Sequence, residues 1–88
     1  MPEIKVKIGS PVGLHARPAG LFVKAAAKHG GSVTIGRPGA DPVDARSVLS
    51  VLSLTIGHGE EVVLRAEGEN ADTALAELSQ LLVSDLDA

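Results

Sequence analysis

Apolar and polar positions alternate at the start of the chain. Ile4, Val6 and Ile8 interleave with Glu3, Lys5 and Lys7, which predicts a half-buried first strand. The period then changes. Ala19, Phe22, Val23, Ala26 and Ala27 fall at i, i+3, i+4, i+7 and i+8, which predicts a helix from about Ala16 to Lys28 that ends at His29-Gly30-Gly31. Val33 and Ile35 mark a second strand over Ser32 to Arg37. Pro38-Gly39-Ala40-Asp41-Pro42 is turn chemistry, so a short third strand around Val43 returns as a hairpin, with Pro42 suited to an edge. Gly57-His58-Gly59 reads as a turn. Val62, Leu64 and Ala66 alternate with Glu61, Val63, Arg65 and Glu67 as a fourth strand. Asn70 suits the N-cap of a last helix whose buried stripe is Ala71, Ala74, Leu75, Leu78, Leu81 and Leu82.

Between the third and fourth strands, Ser47 is a good N-cap for a short helix to about Leu54. Too many of its side chains are apolar for one buried stripe. At roughly 100° per residue, Val48, Leu49 and Leu52 share one arc, and Val51 with Leu54 share another. A short helix on a sheet buries one arc and leaves the other as an exposed apolar patch, the mark of a partner surface. Counting does not decide which. The order β-α-β-β-α-β-α predicts an α+β open-faced sandwich, a four-stranded antiparallel sheet covered on one face by three helices.

Composition narrows the function classes. With 88 residues the chain fits one domain spanning residues 1–88. No apolar run is long enough to span a bilayer, and the first residues lack the apolar core of a signal peptide. Cysteine is absent, which removes disulfides and thiolate metal sites and is compatible with the cytoplasm. The formal net charge of −3, with Phe22 the only aromatic residue, argues against nucleic-acid binding.

Candidate chemistry concentrates in Gly13-Leu14-His15-Ala16-Arg17-Pro18-Ala19-Gly20. Pro18 is tolerated in a first helical turn, which puts His15 at or beside the N-cap. Backbone N–H groups without intrahelical partners, including those of Ala16 and Arg17, and the positive end of the helix dipole favour an anion there. Arg17 adds a permanent charge and a planar fork of donors suited to phosphate or carboxylate. A neutral imidazole nitrogen is a nucleophile, and phosphate on it needs counter-charge, so the pattern points to phosphate on or next to His15. An isolated H-x-R-P is also compatible with a capping histidine beside a solvated arginine. His29 and His58 sit at a helix end and in a turn, read as surface residues, and offer no metal-ligand spacing.

The longer match decides between these. G-L-H-A-R-P-A resembles the active-site loop of the HPr family, the histidine-containing phosphocarriers of the bacterial phosphoenolpyruvate:sugar phosphotransferase system. Arg46-Ser47-Val48-Leu49-Ser50-Val51-Leu52-Ser53-Leu54 resembles that family's K-S-I-M-G-V-M-S-L segment. The resemblance implies a phosphocarrier rather than a stand-alone enzyme, with no cofactor and no metal. His15, through Nδ1, would accept a phosphoryl group from enzyme I and pass it to IIA domains of sugar permeases. Arg17 and the amides of Ala16 and Arg17 would support the phosphate, and Val48, Leu49 and Leu52 would meet partners. Ser47 would be the site of a regulatory kinase found in part of the family. A cytoplasmic monomer without membrane insertion is expected.

The segment departs from the pattern at Arg46, Leu49 and Ser50. Val12 stands where a polar side chain often supports the loop, and the turn from Gly36 to Pro42 is a residue longer than in familiar members. Two alternatives stay open: a carrier of a regulatory branch, and a non-phosphorylated adaptor using the Val48, Leu49, Leu52 patch.

Overall fold

The computed structural model describes residues 3–9, 13–14, 16–29 and 32–83. The elements follow the expected order: β1 (Glu3–Lys7), α1 (Ala16–Lys28), β2 (Val33–Gly36), β3 (Val43–Asp44), α2 (Val48–Ser53), β4 (Glu61–Ala66) and α3 (Ala71–Val83). The strands form one sheet in the order β1-β4-β2-β3, and every neighbouring pair is antiparallel. The last strand in sequence is therefore inserted between the first two. β1 and β3 are the edges, and Pro42, just before β3, costs no ladder bond inside the sheet.

Register sorts the side chains onto two faces. Ile35 opposes Leu64, and Val6 opposes Val62, on the face that packs under the helices. Thr34 opposes Arg65, and Lys5 opposes Val63, on the bare face, where Arg65 Nη2 donates to Glu3 Oε2 at 2.7 Å. The core joins Val6, Ile8, Val33, Ile35, Val62 and Leu64 to Phe22, Val51, Leu75, Leu78 and Leu82 from the helices. Ile4 lies on the core-facing side yet keeps 37% exposure, because β1 is an edge strand with a neighbour on one side only.

The buried side of α1 is shifted from the expected stripe. Ala25 is buried and Ala27 is exposed, so the covered arc is centred nearer Phe22 than Val23. In α3 the stripe is as expected, with Leu81 at its half-buried margin. The turn at Gly30-Gly31 lies outside the described residues.

Candidate functional site

α1 begins at Ala16, and the chain leading into it is fixed just before. Leu14 is buried, and its N–H donates to the carbonyl of Ile56 at 2.9 Å. Gly13 adopts φ +74°, and a Cβ at that position would stand 2.5 Å from the Ile56 oxygen and 2.7 Å from Gly57 Cα. Only glycine allows this approach: the backbone conformation and the space both exclude a side chain. The segment after α2 therefore holds the entry to α1 from behind. His15 and Val12 lie outside the described residues.

Arg17 is exposed in the first turn of α1, and that turn carries no acidic residue. The other arginines are spoken for: Arg37 pairs with Glu60, Arg46 with Asp44 and Arg65 with Glu3. Among the described residues Arg17 alone of the arginines has no carboxylate partner. Among the described residues, a first turn without acid and a guanidinium without a carboxylate partner together place positive potential where α1 begins.

Ser47 takes the cap position. Its backbone is extended (φ −109°, ψ 112°), and its Oγ accepts from the N–H of Ser50 at 3.3 Å. Val51 N donates to the Ser47 carbonyl at 3.0 Å, closing the first turn. The wheel is resolved by burial. Val51 is fully buried and Leu54 packs partly on the core, whereas Leu49 is 78% exposed and Val48 39%. Leu52 is half-buried against the core, so the outward apolar surface of α2 narrows to Val48 and Leu49.

Two features were not anticipated from the sequence. Leu21 is 44% exposed on α1, which packs against α2. Its signal was present, since position 21 falls opposite the Ala19-Phe22-Ala26 stripe on a helical wheel. Arg37 was unassigned, and no sequence signal singles it out. Its Nη1 donates to Leu54 O at 2.7 Å and its Nη2 to Thr55 O at 3.2 Å, while Nε and Nη2 donate to Glu60 Oε1 and Oε2 at 2.9 and 3.1 Å. The Glu60 carboxyl is held below its usual range, first by the Arg37 hydrogen bonds and then by the N–H of Gly57, which donates to Oε2 at 2.6 Å.

His29 also differs from the surface residue expected. Its side chain is 13% exposed and Nε2 lies 3.1 Å from Glu77 Oε2, and Lys28 Nζ lies 2.9 Å from Oε1 of the same carboxylate. The Lys28 ammonium is the main cause holding the Glu77 carboxyl below its usual range. This cluster ties α1 to α3 away from the α1 entry. His58 lies in the turn after α2 and is exposed. Among the described residues no helix is long and apolar enough to cross a membrane.

Residues 2–84 match the family model of the PTS HPr component phosphorylation site. The phosphocarrier protein HPr of Streptomyces coelicolor is 45% identical over 99% of this chain and 94% of its own length. The structure of a phosphocarrier protein HPr from Bacillus anthracis superposes with a TM-score of 0.87 at 33% identity, covering 92% of this chain and 95% of that one. A second HPr structure, from Thermoanaerobacter tengcongensis, has a TM-score of 0.67 at 33% identity over 97% of this chain and the whole of that one, and that protein is described as a dimer. The expectation of a monomer therefore does not follow from kinship. The family-model match, the near full-length identity and the shared fold agree: the chain belongs to the HPr family of phosphocarrier proteins of the phosphotransferase system.

Proposed function

We propose that the chain relays phosphoryl groups through His15, accepting from enzyme I and donating to IIA domains. The observation that supports this most directly is the positive potential that the described residues place where α1 begins. Arg17 is exposed without a carboxylate partner among the described residues, beside a first turn free of acid. A phosphate on the preceding residue meets the amides of Ala16 and Arg17 and the Arg17 guanidinium.

In the transfer, the lone pair of a neutral His15 ring nitrogen attacks phosphorus. The new P–N bond forms as the donor's P–N bond breaks, and the donor imidazole recovers its electron pair. The helix terminus disfavours the imidazolium, keeping the ring nucleophilic, and it stabilises the added dianion. Arg17 holds the charge that arrives. No metal or cofactor takes part in these steps. Partners dock on the apolar surface of Val48, Leu49 and the margin of Leu52, with Leu21 of α1 as an addition to that patch. One domain spanning residues 1–88 suffices for such a shuttle, and its cellular setting is the cytoplasm. Ser47 caps α2, and a phosphate on its Oγ places negative charge beside Val48 and Leu49, opposing docking.

The test is intact mass and phosphorus NMR after incubation with phosphoenolpyruvate and enzyme I. One acid-labile phosphate is expected on the parent chain and none on His15→Ala. Arg17→Ala is expected to slow transfer while leaving the melting midpoint nearly unchanged, because Arg17 is exposed. A parent that stays unphosphorylated beside an active control carrier refutes the relay and favours the adaptor.

A further inference from the structure

The backbone between α2 and β4 is held from two sides. On one side, Arg37 donates to the two carbonyls that follow α2, Leu54 O at 2.7 Å and Thr55 O at 3.2 Å, and its fork is locked on both oxygens of Glu60. Glu60 in turn accepts the N–H of Gly57 at 2.6 Å. On the other side, Ile56 O accepts the N–H of Leu14, and Gly13 lies against Ile56 and Gly57. Between these anchors Thr55 is held at φ 50°, which a β-branched residue adopts only when its surroundings over-determine it. The guanidinium supplies that constraint. It takes up the carbonyls of the C-cap Leu54 and of Thr55 just beyond the helix, and a planar fork fixes direction where a lysine would give only a point charge.

We infer that Arg37 and Glu60 are positioning residues for phosphoryl transfer: they fix residues 54–57, the backbone platform on which Gly13-Leu14 delivers His15 to the start of α1. The inference deepens the relay reading and rests on it. Arg37 and Glu60 act on the backbone of residues 54, 55 and 57 rather than on the reacting atoms. Their effect passes through Ile56 O to Leu14 and so to the residue that follows. Because transfer requires the acceptor nitrogen in line with the donor phosphorus, sub-ångström loosening of this platform lowers the rate at saturation.

The experiment compares the parent with Arg37→Met, Glu60→Gln and the double variant. Lys28→Met serves as a control that removes an ion pair at the opposite attachment of α1. Each is assayed well below its own melting midpoint, with kcat and KM for phosphorylated enzyme I measured separately. The His15 ring-nitrogen resonances are followed through a pH titration. Arg37→Met is expected to lower kcat on the order of tenfold or more and to shift the His15 titration. Glu60→Gln should do so less, and the double variant no more than Arg37→Met, because the two act as one unit. Lys28→Met should change neither readout. If Arg37→Met proves unfolded, Glu60→Gln, which keeps the arginine on the helix end, carries the same test. A parent phosphorylated on His15 with variants matching it in kcat and in titration overturns this inference alone. A parent that takes no phosphate on His15 overturns the relay and this inference together.

Discussion

Thr55→Gly should stabilise the protein, although it removes a side chain. Thr55 is exposed and lies at φ 50°, in the left-handed region. There a Cβ costs roughly 1–2 kcal/mol against the neighbouring carbonyl. Glycine removes that cost but adds about 0.5–1 kcal/mol of backbone entropy to the unfolded chain. The hydroxyl that is lost donates at 2.7 Å to the adjoining Leu54 carbonyl, which Arg37 Nη1 also serves, so its removal leaves no orphaned acceptor. The two ranges leave a net gain of about 0–1.5 kcal/mol, centred near ~0.75 kcal/mol, which in a domain of this size raises the melting midpoint by roughly 3–6 °C at the centre. Thermal and urea unfolding of Thr55→Gly and Thr55→Ala measure it. Alanine keeps the Cβ but loses the β-branch, so it should sit between the parent and the glycine variant. A Thr55→Gly midpoint below that of Thr55→Ala would refute the reasoning, because strain at Thr55 could not then be what the structure holds.

Two further predictions follow from local contacts. Ser47→Ala should destabilise by about 1 kcal/mol in urea unfolding and speed amide exchange at Ser50, whereas Ser47→Asp should keep the cap and the stability. The paired carboxylates of Glu60, Glu77 and Asp44 lie below their usual values in the folded state. The unfolded chain then binds more protons in acid, so stability is full above the ordinary carboxylate range near ~4.3 and falls as pH drops through the folded values. Unfolding from neutral pH to about pH 3 should show this slope, and Glu60→Gln should flatten part of it.

Much of the fold was legible because it depends on periodicity. The 2-residue alternation of β4 and the helical spacing of α1 and α3 record which side faces the core, and the structure keeps both apart from the Ala25-for-Ala27 exchange. Ser47 was legible as a cap because capping is a contact over three residues. The start of α1 within Gly13 to Gly20 was legible for the same reason, and the candidate chemistry proposed there rests on residues equally local in sequence: a basic fork and a histidine. Gly13 was not singled out, because its φ of +74° is dictated by Ile56 and Gly57, some forty residues away in the chain.

What the chain could not express alone is what depends on two distant segments meeting. The α2 wheel offered two apolar arcs of similar size; the family resemblance pointed Val48, Leu49 and Leu52 outward, and packing put Val51 inside and Leu49 out but drew Leu52 half into the core. His29 looked like a helix-end surface residue until Glu77 of α3 came beside it. Arg37 is a polar residue at a strand end, like many others. Its role exists only because the fold brings the end of α2 and the turn before β4 within reach of one side chain. Sequence by itself determined the elements, their buried faces and the family's phosphohistidine motif, since each is written in neighbours along the chain. Tertiary structure decided which surface faces outward and what holds the entry to α1, since those depend on the burial and hydrogen bonding of residues that meet only after folding.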